Sequence, residues 1–148
     1  MKDWRDDILY DYAMRHVGKP ALWAGNDGIA GMDCSGFVLE LLKSCGQLPH
    51  KGDWTAQGLY QYFSTKGVHT NSCRFGSLVF YGLSTTQITH IAFGLDRFRV
   101  IEAGGSSKKV KTIEDAIKYD AWIRIRPVDF RRDCVVILKL LYGTIGAY

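Results

Sequence analysis

Among the four cysteines, at 34, 45, 73 and 134, Cys34 stands where a thiol can do chemistry. The run Asp33-Cys34-Ser35-Gly36-Phe37 follows a Gly-rich loop and opens an apolar stretch of helical period. A helix N-terminus carries about half a positive charge and unpaired N–H groups, which together stabilise a thiolate. The same N–H groups can hold the oxyanion that develops on an attacked carbonyl. Gly36, in the first turn, has no side chain to bar a substrate backbone. The plainer reading is a small buried residue that starts a helix, since cysteine is among the most buried types.

A thiol nucleophile needs a base, and the candidates are His16, His50, His69 and His90. His16 belongs with a helix, on its surface or in the core, and His50 and His69 fall in expected loops. His90 opens a strand in which His90, Ala92 and Gly94 share one face and Ile91, Phe93 and Leu95 the other. One face is large and apolar; the other is small, as if a helix or a substrate lay close above the histidine. Taken alone, His90 is also what an inert histidine at a strand edge looks like. Glu102 adds the third group. If 89–95 and 99–103 form a hairpin with an odd number of turn residues, positions 90 and 102 share a face, about 5 to 8 Å apart at Cβ. A carboxylate there can accept the imidazole N–H and fix its tautomer, as the orienting member of a nucleophile–base–orienter set does. A two-residue turn would put Glu102 on the wrong face.

These residues need elements to position them. Trp4, Ile8, Tyr12, Ala13, His16 and Val17 recur at helical spacing, with Asp3 to cap the start and Gly18-Lys19-Pro20 to stop it. Residues 19 to 33 read as a loop; its Asn26-Asp27-Gly28 suggests a calcium loop, but the downstream Glu is missing. A second helix carries Phe37, Val38, Leu41, Leu42 and Cys45 on one face and ends at Gly46, and a third runs from Thr55 to Lys66. Then the period becomes that of strands: Leu78–Tyr81, Thr89–Leu95, Arg99–Ala103 with Asp96-Arg97-Phe98 as the turn, and Trp122–Arg126. Between the last two, Thr112 with Asp115 three residues on predicts a capped helix over Ile113–Tyr119. Cys134 to Tyr142 is the most apolar run, a core strand or a terminal helix. Helices first and neighbouring strands afterwards make an α+β domain with an antiparallel sheet.

The 148 residues suit one domain, 1–148, and 47% hydrophobic with 23% charged residues is a globular balance. A formal charge of +4 is mild. It suits an anionic surface such as a cell wall, and without a basic stripe it gives no case for nucleic acid. Arg124, Arg126, Arg131 and Arg132 come nearest to a stripe and read as a solvated face. The cysteines include no C-x-x-C pair, so no structural metal is expected. Cys34 and Cys45 on one helix stand roughly 16 Å apart, too far for a disulfide, and four free thiols are expected. The opening MKDWRDDILYDY has no apolar core of a secretory signal, and no run is long and apolar enough for a membrane span.

Asp33-Cys34-Ser35-Gly36-Phe37-Val38, Gly76-Ser77-Leu78-Val79-Phe80-Tyr81 and His90-Ile91-Ala92-Phe93-Gly94 resemble, in order and spacing, the NlpC-type cysteine peptidases of the papain-like superfamily. Gly18-Lys19-Pro20 to Trp23 and Leu48-Pro49 look like that family too, so the likeness covers roughly residues 5 to 105. The resemblance implies a papain-like α+β fold and hydrolysis of peptidoglycan stem peptides, commonly between D-glutamate and a diamino acid. It implies Cys34 as nucleophile, His90 as base and Glu102 at the third polar position, where the family often has His, Asn or Gln. A glutamate there is closer to related amidases. The family's Tyr two residues before the loop tryptophan, part of its oxyanion site, is Ala21 here, which leaves the N–H of Cys34 or a donor such as Tyr81. Its Gly-Asp before the apolar strand is Gly76-Ser77. Cysteine before histidine argues against the circularly permuted lipid-acting relatives.

On this reading His90 takes the proton of Cys34, the thiolate attacks an amide, and water cleaves the thioester, with no metal or cofactor required. Asp33, Ser35, Trp23 and the 104–109 loop are expected at the substrate cleft, and that loop lacks the spacing of a phosphate loop. Two alternatives are an assembly or binding module without activity, as in a phage tail, and an amidase or deamidase. A wall-acting enzyme with this N-terminus is expected to arrive by virion, by lysis or through a secretion machine, or to have lost a signal; otherwise it is cytoplasmic.

Overall fold

The computed structural model describes residues 4–24, 26–27, 31–48 and 54–140. Its elements run α1 (Trp4–Met14), β1 (Asn26–Asp27), β2 (Gly31–Met32), α2 (Cys34–Ser44), α3 (Ala56–Phe63), β3 (Val68–Thr70), β4 (Leu78–Ser84), β5 (Gln87–Gly94), β6 (Arg99–Gly104), α4 (Ile113–Tyr119), β7 (Trp122–Pro127) and β8 (Cys134–Lys139). The α+β class expected from the period change is the one observed. Six strands form an antiparallel sheet in the order β3-β8-β4-β5-β6-β7.

The two faces of the sheet differ in what covers them. Leu78 and Phe80 of β4, Ile91 and Phe93 of β5, Ile101 and Ala103 of β6 and Ile123 of β7 share a core with Phe37, Val38, Leu41 and Leu42 of α2 and Leu59 and Phe63 of α3. The large apolar face of β5 is therefore the one under the helices. On the opposite face Val79, Tyr81, Ala92 and Val100 form a smaller cluster closed by Cys73, Val128 and Phe130. On this small face His90 borders a cleft, whereas Ala92 beyond it is covered. The chain returning from β7 lies there.

Several boundaries depart from the sequence expectation. In α1 the buried residues are Leu9 and Ala13, with Trp4 and Ile8 exposed, and the helix ends at Met14. Past Met14 the bonds His16 N→Ala13 O and Val17 N→Met14 O tighten to i→i−3, and His16 packs buried with Nδ1 2.8 Å from the Tyr12 carbonyl. The 19–33 loop contains the two-residue ladder β1–β2, and β3, with His69 in it, is a short edge strand beside β8. The run from Cys134 is a strand, inserted between β3 and β4. His50, Pro49, Asp3, Gly28 and residues 141–142 lie outside the described residues. The α4 helix has the expected capping box between Thr112 and Asp115. Among the described residues no helix is long and apolar enough to cross a membrane.

Candidate active site

Cys34 is the first residue of α2 because Asp33 caps it. The Asp33 carboxylate accepts the Gly36 N–H at 2.7 Å and the Ser35 hydroxyl at 3.3 Å, and its carbonyl accepts Phe37 N–H at 2.9 Å. The helix's own ladder thus begins at Phe37, and the amides of Cys34 and Ser35 stay outside it. Of Asp33 and Ser35, both expected at the cleft, Asp33 borders it, while Ser35 is buried outside its lining.

His90 is aimed by a bulge. Between the pairs Tyr81↔His90 and Gly82↔Ile88 the register shifts, so Thr89 is the extra residue. Gly82 is required at that point, because a Cβ would run into the backbone of Gln87 and Ile88. The imidazole is buried, flanked by Tyr81 at 5.7 Å and Phe130 at 6.0 Å between ring centroids.

Glu102 arrives by the parity of the β5–β6 hairpin. The pairs Phe93↔Ile101 and Gly94↔Val100 leave residues 95 to 99 between the strands, an odd number, and place Glu102 diagonal to His90 on one face. Nε2 of His90 lies 3.6 Å from Oε2 of Glu102, an ion-pair distance. The carboxylate is wholly buried at 0% exposure. It folds back over Gly104, where any side chain would collide with its oxygens. The ladder between β5 and β6 stops at Phe93↔Ile101, and α2 packs on both strands.

Cys34, His90 and Glu102 line one cleft of about 300 Å³ together with Trp23, Asp33, Thr89, Ala103, Gly104, Gly105, Ser106, Arg126, Phe130 and Arg131. Burial lowers the affinity of His90 for a proton, but the neighbouring Cys34 side chain, the Glu102 carboxylate and the charges of both prevail, and its pKa is pushed up to about 9. The other thiols have no such partner: burial pushes Cys45 and Cys73 up to about 11 and raises Cys134 as well, and no disulfide joins any of the four.

Trp23 lines the cleft, 46% exposed, with its backbone N–H donating to the Val110 carbonyl at 2.7 Å. Of the 104–109 loop, residues 104 to 106 reach the cleft, and 107 to 109 are exposed outside its lining. Tyr81 corrects an expectation: its hydroxyl donates to the Val128 carbonyl at 2.8 Å, the side chain is fully buried, and it is absent from the cleft lining, so it supplies no oxyanion donor. Ala21 is buried in the helix-side core and supplies none either. The arginines correct another. Arg126 Nε lies 3.4 Å from Glu102 Oε1, and Arg126 and Arg131 both border the cleft. The alternation of Arg124 and Arg126 against Ile123 and Ile125 held the signal. Pairing β7 with β6 puts those arginines on the face of Glu102.

A family model described as the NlpC/P60 family matches residues 18–126. The chain belongs to that family. Two curated relatives are similar over 66% of the chain: a probable endopeptidase YafL from Escherichia coli, 29% identical over 98 residues, and the peptidoglycan endopeptidase RipA of Mycolicibacterium smegmatis, 27% identical over 111 residues. The matched stretch spans 39% and 21% of their lengths. Among solved structures, RipD of Mycobacterium tuberculosis, described as a non-catalytic NlpC/p60 domain protein adapted to peptidoglycan binding, superposes with a TM-score of 0.64 at 18% identity. That match covers 95% of this chain and 100% of RipD, and it bears on the papain-like α+β fold alone.

Proposed function

We propose that this protein is a cysteine peptidase that hydrolyses peptide bonds in peptidoglycan stem peptides, with Cys34 as nucleophile, His90 as base and acid, and Glu102 as orienter. The observation that carries this is the placing of His90 between a thiol at a helix start and a buried carboxylate, in a cleft. Nε2 is turned to Glu102, which leaves Nδ1 for the proton of Cys34. With the imidazole holding that proton, the thiolate attacks the substrate carbonyl, and the oxyanion forms at the N–H of Cys34 at the start of α2. His90 then protonates the leaving amine, and as a neutral base it activates the water that cleaves the thioester. Trp23, Ser106 and Arg131 line the path of the substrate. The place of action on this reading is the cell wall, reached by virion, lysis or secretion.

A second reading is a peptidoglycan-binding or assembly module without activity, the role for which RipD, on the same fold, is described. An amidase is the third, favoured by the glutamate at position 102. Mass spectrometry of peptidoglycan fragments incubated with the wild type and with Cys34→Ala separates them. New stem-peptide products from the wild type alone are expected, and their masses locate the bond within the stem or at its amide link to the sugar. No products from either protein, on Gram-negative and Gram-positive walls alike, would overturn the peptidase.

A further inference from the structure

Glu102 is a buried charge whose partner at His90 changes charge during the proposed reaction. When His90 has given its proton to the leaving amine the imidazole is neutral, and a buried carboxylate left without a cation is strongly disfavoured. The structure holds a second cation against it. Arg126 of β7 stands diagonal to Glu102 across the β6–β7 ladder, with Nε 3.4 Å from Oε1, while Oε2 faces His90. Its guanidinium lies over the ring of Phe130 at 5.3 Å, and Phe130 in turn borders His90. We propose that Arg126 is a positioning residue: it stays paired with the Glu102 carboxylate and keeps it aimed at His90 through every step, including those in which His90 is neutral.

The other charged groups around this carboxylate are spoken for. Arg124, its direct partner on β7, donates from Nη1 to Asp120 Oδ2 at 3.0 Å and from Nη2 to the Asp120 carbonyl. Arg131 forks onto Asp133 at 2.8 and 2.6 Å. From β4 the hydroxyl of Tyr81 is bonded to Val128, and from α2 Asp33 caps the helix while Cys34 neighbours His90. Arg126 is thus the fixed positive charge paired with Glu102, and as a guanidinium it does not titrate in any working range.

The inference rests on the catalytic reading above, and the test reads both. Alkylation of Cys34 by iodoacetamide is followed against pH, peptide by peptide in the mass spectrometer, for the wild type, Arg126→Gln and Arg126→Lys. Removing a positive charge favours proton uptake by every group in the cleft, so Arg126→Gln is expected to move the acid-side midpoint of Cys34 alkylation up by about one pH unit. Turnover of stem peptide is expected to fall ~10- to 100-fold in kcat, with KM changed less than about threefold. Arg126→Lys keeps the charge and is expected to restore both. An Arg126→Gln profile that superposes on the wild type, a loss confined to KM, or a loss that tracks unfolding and is not restored by lysine would overturn the inference and leave the catalytic reading standing. If wild-type Cys34 shows no alkylation step below that of Cys134, the catalytic reading fails and this inference with it.

Discussion

Glu102 lies diagonal to His90, 3.6 Å from its Nε2, because residues 95 to 99 separate the innermost pair of the β5–β6 hairpin. One residue fewer in that turn would send the carboxylate into the helix-side core beside Ile101 and Ala103. The place of Glu102 beside His90 is therefore set by the parity of the loop that joins β5 to β6.

Replacing Glu102 by Gln keeps the shape and removes the charge. The amide can present its NH₂ to Nε2, which favours the wrong tautomer, and His90 loses one of the groups that hold its proton. A fall in kcat of roughly 10²- to 10⁴-fold is expected, with KM near the wild type. Steady-state kinetics on isolated stem peptides checks this, and a kcat within threefold would deny Glu102 its orienting role.

The imidazole of His90, with a pKa of about 9 against an ordinary 6.5, stays protonated through neutral pH. Its sign follows from linkage. The folded state holds this proton more tightly than the unfolded state, so the ring's contribution to stability is complete below pH 6.5 and is lost as pH rises through 9. Histidine resonances followed by NMR are expected to include one titrating near pH 9. Both Cys34→Ala and Glu102→Gln should bring it down, since each removes a group that raises it and leaves burial to lower it. His16 makes an internal contrast, because its burial pushes it below the ordinary value.

Gly104 is expected to be needed for rate more than for stability. Its space is taken by the Glu102 carboxylate, so Gly104→Ala must push that carboxylate aside at a distance where small displacements matter. The expected result is at least a tenfold fall in kcat with a stability cost of about 1–3 kcal/mol, the range for a moderately overpacked site. Urea denaturation beside kinetics separates the two, and an unchanged rate would show that the carboxylate has room to move.

How much of this was legible depended on how local the determining signal was. The cap at Asp33, the place of Cys34 at the start of α2, the box at Thr112 and the parity of the β5–β6 turn are each written within a few consecutive residues, and the sequence carries them openly. Signals that need partners distant in the chain were hidden. Arg126 looks like a solvated residue until β7 is laid beside β6, and the insertion of β8 between β3 and β4 cannot be read from its apolar run. β3 is three residues long, with Val68 and His69 exposed, so it has no alternation to detect. In α1 the large residues Trp4 and Ile8 mark the wrong face, because Leu9 and Ala13 are the ones that meet the core.

Tyr81 gives the sharpest contrast between chemistry read from residue type and chemistry read from contacts. A tyrosine on the strand next to His90 is a natural substitute for the oxyanion donor missing at Ala21. Its hydroxyl instead donates to Val128, 47 positions along the chain, and ties the segment after β7 to the sheet. Burial, the largest cause, pushes its pKa far up, and so does the charge of Glu102, which keeps the hydroxyl protonated. Tyr81→Phe deletes one buried hydrogen bond and is expected to cost about 1–2 kcal/mol of stability, because the Val128 carbonyl is left unpaired. Loss of an oxyanion donor would instead cost about 10²- to 10³-fold in kcat. Measured together, a destabilised Tyr81→Phe that keeps kcat within about threefold leaves the oxyanion to the amides at the start of α2. A stable variant that has lost activity would return Tyr81 to the cleft.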